Sequence, residues 1–383
     1  MTDWLYEGLR SEPYGMLPIS NLSGKGPTTI KTHEQLASYN WILDDETEKE
    51  PTLVLPGAPN ALKLDWMGGK MEPDKGIMFF DVNHAALSQC PMDPLFHAVR
   101  LEKGDDYDFQ QFDFVTDSIN LQKMFTFCKG TEEGVFRIDL ERIGRTVIAT
   151  RVEGQDWLEI DFEIYDKGMR SVCTKPVSRM TDGPFFQIIR YKFGDLSFLV
   201  RFEAHCADYS KLSDEVLEEA AAALKFDPDK HTRKPIPNAE ANLKYIPMGK
   251  KIQHNLVLTT AYPAGKDFPF FSYPQVMFAG ADQLFLGWFK AHGDFQKPAY
   301  YTLSDMNRLV KPLPYSTIAK THACVQKMIN FMRMCEEDAR VTFLWQAGDK
   351  LEIFERSGEA LTGISPSMRE FLNSQVKKED KKE

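Results

Sequence analysis

The chain has 383 residues, of which 43% are hydrophobic and 12% aromatic, and its formal net charge is −10. This composition excludes a disordered chain and predicts one large globular domain or two ordinary ones. The net negative charge argues against a protein whose main function is to bind the phosphate backbone of a nucleic acid, because the surfaces that bind phosphates are usually basic. No apolar run reaches the roughly 20 residues that span a bilayer, so we predict a cytoplasmic or nuclear protein.

The N-terminal part of the chain carries few signals of regular structure. Residues 1–31 are rich in Gly, Pro and Ser and are predicted to be irregular. Thr32, with Gln35 three residues later, matches a capping box and predicts a short helix over 32–38. Residues 117–127 predict an amphipathic helix.

The middle of the chain is dominated by predicted strands. Two hairpins are expected at 135–152 and 185–205, each turning at a glycine. Residues 157–164 (WLEIDFEI) alternate apolar and polar side chains, which is typical of a half-buried strand. The remaining predicted elements are strands at 252–260 and 284–290, a helix at 316–336, a hairpin at 340–355 and a helix at 366–374.

Strands interspersed with helices, without an internal repeat or a linker, predict a single α+β domain. The predicted domain covers residues 32–375, after the irregular segment, and residues 376–383 form a charged tail. The six cysteines lack the spacing of a zinc or redox motif, so we expect them to be reduced thiols.

Four segments occur in an order that resembles a known family. Together they resemble the decapping exoribonucleases of eukaryotes, which remove incomplete or unusual caps from RNA. The segments are DFVTDSINLQKMF (113–125), FRIDLERIGRTVIATRVEG (136–154), FQIIRYKFGDLSFLVRFEAHCAD (186–208) and NLVLTT (255–260).

The resemblance is closest to a fungal branch of that family, because the chain also carries SYNW (38–41) and PTLVLPGAP (51–59). It covers residues 35–355. It implies a fold related to the PD-(D/E)XK nucleases, with two mixed β-sheets flanked by helices around a groove.

In that family the resemblance implies an active site of four parts. An arginine contacts substrate phosphate, and a glutamate, a Glu-x-Asp pair and a Glu-x-Lys pair follow, whose carboxylates hold Mg²⁺ or Mn²⁺. The corresponding residues here are Ser118, Val172 or Cys173, Glu203 with His205, and Val257 with Thr259. Since one carboxylate and one imidazole make a poor Mg²⁺ site, we predict a dismantled nuclease site with no metal and no cofactor.

Glu203 and His205 are the candidate catalytic residues. They lie two residues apart on a predicted strand and therefore share a face. They form either an acid–base pair or a hydrogen-bonded remnant of the old site. The residues predicted to line a common ligand groove with them are Ser118, Cys173, Val257 and Thr259, together with Arg151 and Gln275.

Gln275 belongs to the aromatic segment 269–278, which is either core or the wall of an apolar pocket. Two functions remain open. The first is a pseudoenzyme that keeps the groove to bind a small apolar molecule or a protein partner. The alternative is a metal-independent isomerase, cyclase or dehydratase of fungal secondary metabolism, with Glu203 and His205 as base and acid.

RNA binding is expected to be weak at most. Ser118 and Thr259 replace two cations of the family groove, and phosphate contacts carry much of the affinity for nucleic acid. The alternative is a replacement basic rim formed by Lys250 and Lys251, with His254 nearby.

Overall fold

The structure is a computed structural model. It describes residues 3–24, 29–42, 50–130, 134–178, 181–213, 232–249, 255–310, 314–357 and 362–379, with a few positions between 214 and 231.

In the described ranges, the largest sheet has twelve strands drawn from the whole length of the chain. In spatial order they are β1 (Gly15–Pro18), β22 (Lys350–Glu355), β21 (Arg340–Gln346), β8 (Val135–Ile143), β9 (Thr146–Val152), β7 (Phe114–Asp117), β13 (Leu196–Ala204), β12 (Phe185–Phe193), β2 (Ile30–Ile42), β3 (Thr52–Leu55), β16 (Lys244–Pro247) and β15 (Lys234–Pro235). The sheet is mixed, because β7 runs parallel to β9 and to β13, and β16 runs parallel to β3.

A second mixed sheet and a separate ribbon complete the strands of the described ranges. The second sheet contains β11 (Thr174–Lys175), β4 (Ala61–Leu62), β14 (Cys206–Ala207), β17 (Leu256–Pro263), β18 (Gln283–Lys290), β19 (Asp294–Phe295) and β5 (Gly69–Lys70), and β20 (Ala299–Thr302) also pairs with β18. The ribbon consists of β6 (Ile77–Phe79) and β10 (Trp157–Glu159), which are antiparallel.

Helices cover both faces of the large sheet. The helices that the described ranges contain are α1 (Asp3–Tyr6), α2 (Val82–Ala86), α3 (Asp93–Lys103), α4 (Ser118–Lys129), α5 (Asp166–Cys173), α6 (Ser272–Ala279), α7 (Leu303–Leu309), α8 (Tyr315–Met334) and α9 (Pro366–Glu379). Successive side chains of a strand point to opposite faces. Accordingly Phe198 and Val200 of β13 join an apolar cluster with α4, α6 and α8, whereas Leu199 joins a cluster with α3 and α9.

The predicted α+β fold, with two mixed β-sheets flanked by helices, is confirmed. Both predicted central hairpins form, as β8 with β9 and as β12 with β13. The helix predicted over 32–38 is wrong, because these residues lie within β2 and pair along β12. Sheet pairing therefore overrides the local capping pattern of Thr32 and Gln35.

Other differences concern the termini and one strand. Within 1–31, α1 is helical and β1 adds a strand to the large sheet. The helix α9 continues to Glu379, into the segment predicted as a charged tail. The strand predicted over 157–164 forms only at Trp157–Glu159. No helix in the described part of the chain combines the length and the hydrophobicity needed to span a membrane.

Candidate functional site

A cavity of about 350 Å³ opens where the chain passes from the large sheet to the second sheet. His205 is the junction, since β13 ends at Ala204 and β14 begins at Cys206. The parallel strands β7, β9 and β13 bring their C-terminal ends to the same edge. Of the predicted site residues, Ser118, Arg151, Glu203, His205, Thr259 and Gln275 line this cavity.

The carboxylate of Glu203 faces the cavity beside an arginine. Arg170 of α5 places its Nη1 3.9 Å from Glu203 Oε1, and the two side chains are 37% and 40% exposed. The cavity walls hinder hydration of the carboxylate and raise the pKa of Glu203, against the lowering effect of Arg170 and Arg151. Arg170 Nε is itself buried without a hydrogen-bond acceptor among the described residues. Arg170 therefore has one buried donor that no described residue uses.

His205 is held by the next strand of the second sheet. The backbone N–H of Thr259 donates to His205 Nδ1 at 2.8 Å, and the Thr259 hydroxyl lies 3.0 Å from the same atom. Burial lowers the pKa of His205 well below its ordinary value, and the charge of Arg170 lowers it further. An Nδ1 that accepts an N–H leaves the proton of the neutral ring on Nε2. His205 is thus a neutral hydrogen-bond donor.

We expect His205 to be neutral in the folded protein at pH 7, with its proton on Nε2. Because the pKa of His205 in the folded protein lies below the unfolded value of 6.5, protonation favours the unfolded chain. The free energy of unfolding should therefore decrease as the pH falls below about 6.5. Nitrogen-15 NMR of the imidazoles reports the tautomer directly, with exposed His292 as the internal reference. A charged His205 ring at pH 7 would contradict the assignment.

The first residues of α4 form another wall of the cavity. Ser118 is buried, and its hydroxyl has no hydrogen-bond partner in the described ranges. The preceding residue, Asp117, does not cap the helix, because its carboxylate binds Arg201. Arg201 pairs with it across β7 and β13 and lies on the same face as Glu203. A buried ion pair therefore forms the base of the cavity beside Ser118.

Arg151 is fixed by the protein. Its Nε donates to Glu153 at 2.5 Å, and its Nη1 donates to the carbonyl of Phe80 at 2.5 Å. It lines both the site cavity and a neighbouring cavity of about 410 Å³ that also contains His84. Arg151, predicted to bind a ligand, therefore lies between two cavities. Its bond to Phe80 holds the segment that precedes α2.

Cys173 and Val257, predicted to line the groove, do not. Both side chains are fully buried in an apolar cluster with Cys206 and Phe285, between α5 and the second sheet. Cys173 is the last residue of α5 and lies roughly 10 Å along the helix from Asp166, which lines the cavity. Val257 lies roughly 7 Å along β17 from Thr259. Both positions thus belong to the core beside the cavity.

Several cavity residues were not predicted from the sequence. Asp166 and Arg170 stand one helical turn apart on α5, and Asp166 accepts the backbone N–H of Ala261 at 3.0 Å. Thr260 is a nearly buried hydroxyl without a hydrogen-bond partner in the described ranges. The spacing of Asp166 and Arg170 was the available signal, because an i, i+4 charge pair marks one face of a helix.

The apolar part of the cavity wall comes from several elements. The segment 269–278, predicted as either core or pocket wall, contributes to both. Tyr273 and Val276 join the core, while Gln275 faces the cavity. The apolar side chains that line it are Phe80, Val82, Ile119, Phe186, Phe202, Leu258 and Phe271. Polar and charged side chains such as Asp81, Asn83 and Gln122 line the cavity beside these apolar ones, so its lining is mixed.

Two of the sequence predictions concern charged groups, a missing metal site and a basic rim. In the described part of the chain, no group of three or more His, Cys, Asp or Glu side chains could hold a metal ion. The carboxylates on the cavity wall are engaged with an arginine or with backbone N–H groups, which fits a divalent cation poorly. Lys250, Lys251 and His254, the proposed basic rim, lie outside the described residues.

Comparison with known proteins places this geometry in context. The family model described as a domain of unknown function (DUF8563) matches residues 23–302. No curated protein matches the sequence significantly.

Solved structures share the fold at low sequence identity. Candida albicans Rai1 in complex with pU5 and Mn²⁺ has a TM-score of 0.58 at 12% identity, covering 94% of this chain and 99% of that one. S. pombe Rai1 with 3'-FADP has a TM-score of 0.57 at 11% identity, covering 89% and 99%. K. lactis Dxo1 with manganese has a TM-score of 0.54 at 8% identity, covering 92% and 98%. The chain therefore has the fold of the fungal decapping exoribonucleases Rai1 and Dxo1, as the resemblance predicted.

Proposed function

The chain belongs to the DUF8563 family, a domain family of unknown function, and from that premise we propose that it is a divergent decapping-exoribonuclease-like protein. In this proposal the metal-dependent nuclease site is dismantled and the cavity between the sheets binds a ligand.

The observation that carries the proposal is the burial of Cys173 and Val257 in one apolar cluster. By the family resemblance Val257 corresponds to one metal-binding glutamate, and either Cys173 or the partly exposed Val172 corresponds to another. Divalent magnesium and manganese require several oxygen ligands, typically carboxylates. The thiol of a cysteine and the isopropyl group of a valine provide no oxygen ligand. Two of the carboxylates that a metal site would need are therefore missing.

Arg170 supports the same proposal from the other side of the cavity. A carboxylate that holds a divalent cation is neutralised by that cation, whereas Glu203 has a guanidinium 3.9 Å away. A metal beside Arg170 would experience repulsion between like charges. The arginine therefore lowers the pKa of Glu203, as a bound cation would, although burial outweighs this effect and the net pKa is raised.

The cavity favours a small molecule that carries both apolar and polar groups, because both kinds of side chain line it. Ile119 and Phe202 suit its apolar part, and the hydroxyls of Ser118 and Thr260 offer donors that lack partners in the described ranges. Apolar surface contributes affinity, and polar groups placed beside it fix the orientation of a ligand. Such a ligand is more polar than the small apolar molecule expected from the sequence.

We expect the purified protein to show no Mn²⁺-dependent decapping or 5′-to-3′ hydrolysis of capped or 5′-monophosphorylated RNA. Loss of the metal removes several kcal/mol of transition-state stabilisation. The measurement is RNA turnover with and without Mn²⁺, together with calorimetric titration of Mn²⁺ into the protein. A catalytically competent Rai1 protein is the positive control.

Turnover that requires Mn²⁺ and disappears in Glu203→Ala would overturn the proposal. The same RNA tests the binding prediction. Weak binding with a shallow dependence on salt supports the loss of the groove cations at Ser118 and Thr259. Tight, strongly salt-dependent binding would show that the groove still serves RNA.

A second candidate function is a metal-independent acid–base enzyme, favoured by the presence of Glu203 and a neutral His205 on the wall of one cavity. A carboxylate of raised pKa can accept a proton while a neutral Nε2–H polarises an oxygen of the substrate. A ligand that is identified by native mass spectrometry and then converted during incubation would favour the enzyme. In that case Glu203→Gln should lower turnover by about 10²–10⁴-fold. A ligand recovered unchanged favours the binding protein.

A further inference from the structure

The ribbon of β6 and β10 exposes large apolar side chains on one face. Trp157 lies opposite Phe79 in the pairing register, and Ile77 lies opposite Glu159. Side chains two residues apart on a strand share a face, so Ile77, Phe79 and Trp157 lie together. They are 50%, 46% and 51% exposed. The alternation of 157–164 predicted a face packed on a core, and in the described ranges no core covers this face.

The ribbon also has unpaired edges. In the described ranges β6 and β10 pair only with each other, so the outer backbone groups of both strands lack a strand partner. Such an edge can accept a further strand from another chain, and proteins usually protect it with charge or with a covering segment. An apolar face of aromatic residues beside an open edge thus marks a surface for binding a partner.

The charge around β10 decides which partner fits. Residues 153–166 contain six acidic residues and no lysine or arginine. Most of these acids are engaged within the protein, as Asp156 is with His84 at 2.6 Å. Glu159 and Asp161 are exposed and have no ion-pair partner in the described ranges. The edge of β10 is therefore negative as well as apolar.

An acidic edge excludes some occupants and favours one. A nucleic-acid strand stacking on Trp157 and Phe79 would bring its phosphates against Glu159 and Asp161, which costs affinity. A second copy of the ribbon would bring the same acids together. We propose that the β10 edge binds an extended basic segment of a partner protein as a third strand. Its apolar side chains would cover Ile77, Phe79 and Trp157, and its Lys or Arg side chains would meet Glu159 and Asp161.

The ribbon lies close to the site cavity, so a partner bound to the ribbon is also close to it. Phe80 directly follows β6, lines the site cavity, and donates its N–H to the carbonyl of Asp156 at 2.6 Å. A strand added beside β10 therefore lies two strand spacings, roughly 10 Å, from the strand that leads into Phe80. The interaction does not depend on what the cavity binds, and it can be tested with the cavity residues unchanged.

The test uses the full chain and fluorescently labelled probes. The probes are a short peptide of alternating Val and Lys, a matched peptide of alternating Val and Glu, and a short oligouridine RNA. We expect the basic peptide to bind and the double variant Phe79→Ser/Trp157→Ser to weaken it by at least about tenfold, as for aromatic residues at the centre of an interface. Controls are Val135→Ser and Met334→Ser, which remove apolar side chains exposed elsewhere and should leave binding unchanged.

A charge-reversed variant separates the role of the acids from that of the aromatic side chains. Glu159→Lys/Asp161→Lys is expected to weaken the basic peptide and to allow the acidic peptide to bind. Binding of the basic peptide to both double variants as tightly as to the wild-type protein would overturn the proposal. RNA binding that is lost in Phe79→Ser/Trp157→Ser would also overturn it, and so would a dimer of this chain lost in that variant. Circular dichroism of each variant verifies that it is folded.

Discussion

Arg201→Ala is expected to lower the free energy of unfolding by about 3–5 kcal/mol, because it leaves a buried carboxylate without its partner. Arg201 is fully buried. Its Nε lies 2.6 Å from Asp117 Oδ1 and its Nη2 lies 2.8 Å from Oδ2. It also donates to the carbonyl of Pro91 at 2.8 Å. Urea denaturation of the wild type and the variant measures the loss.

A second arginine on the neighbouring strand serves as the matched control. Arg190 pairs with Glu34, but these side chains are 39% and 41% exposed. Arg190→Ala should therefore cost about 0–1 kcal/mol. Because the unpaired charge causes most of the loss in Arg201→Ala, adding Asp117→Ala should recover part of it. Equal losses in Arg190→Ala and Arg201→Ala would contradict the buried ion pair.

Val257→Glu is expected to destabilise the protein by about 3 kcal/mol or more, because it introduces a carboxylate into an apolar core. The family resemblance assigns a glutamate to this position, so a groove-facing residue would accept the substitution with little loss. The structure buries Val257 completely among apolar side chains. The midpoint of thermal or urea unfolding decides between the two placements.

The matched control adds the same charge at the neighbouring strand position. Gln283 of β18 lies beside Val257 in the pairing register and is half-buried. Gln283→Glu should change the free energy of unfolding by no more than about 0.5 kcal/mol. If Val257→Glu proved as stable as Gln283→Glu, the side chain at 257 would face the cavity, and the argument for a dismantled metal site would lose its main support.

The strand hairpins were predictable because their signals are local. Alternating residues and a glycine at Gly144 and Gly194 set the turns of both central hairpins, and both glycines adopt positive φ. The helix expected from Thr32 failed because its signal was also local, while the pairing of β2 with β12 joins segments far apart in sequence. Order along the chain does not reveal such pairing.

The candidate site was predictable only in part. Ser118, Glu203 and Thr259 follow from motif order, and all three line the cavity. Val257 lies on the strand of Thr259 and Cys173 lies on the helix of Arg170, but the sequence does not state how far along a helix or strand the cavity extends. Arg170 was missed because the family pattern has no arginine at that place, and its importance comes from the ion pair that it forms from α5 with Glu203 of β13.

The pairing of β1 with β22 has a consequence for how the protein is made. These strands lie far apart in the sequence, and within the described ranges Gly15–Pro18 pairs only with the Lys350–Glu355 strand. With synthesis at ~5–20 residues per second, roughly 20–70 s pass between the appearance of the first strand and that of its partner. During most of that time the first strand has no hydrogen-bonding neighbour, and the edge of β8 that later pairs with β21 is uncovered. A chaperone that holds nascent chains, or a delay at the ribosome in the last strands, would therefore act on a nearly complete but still open sheet.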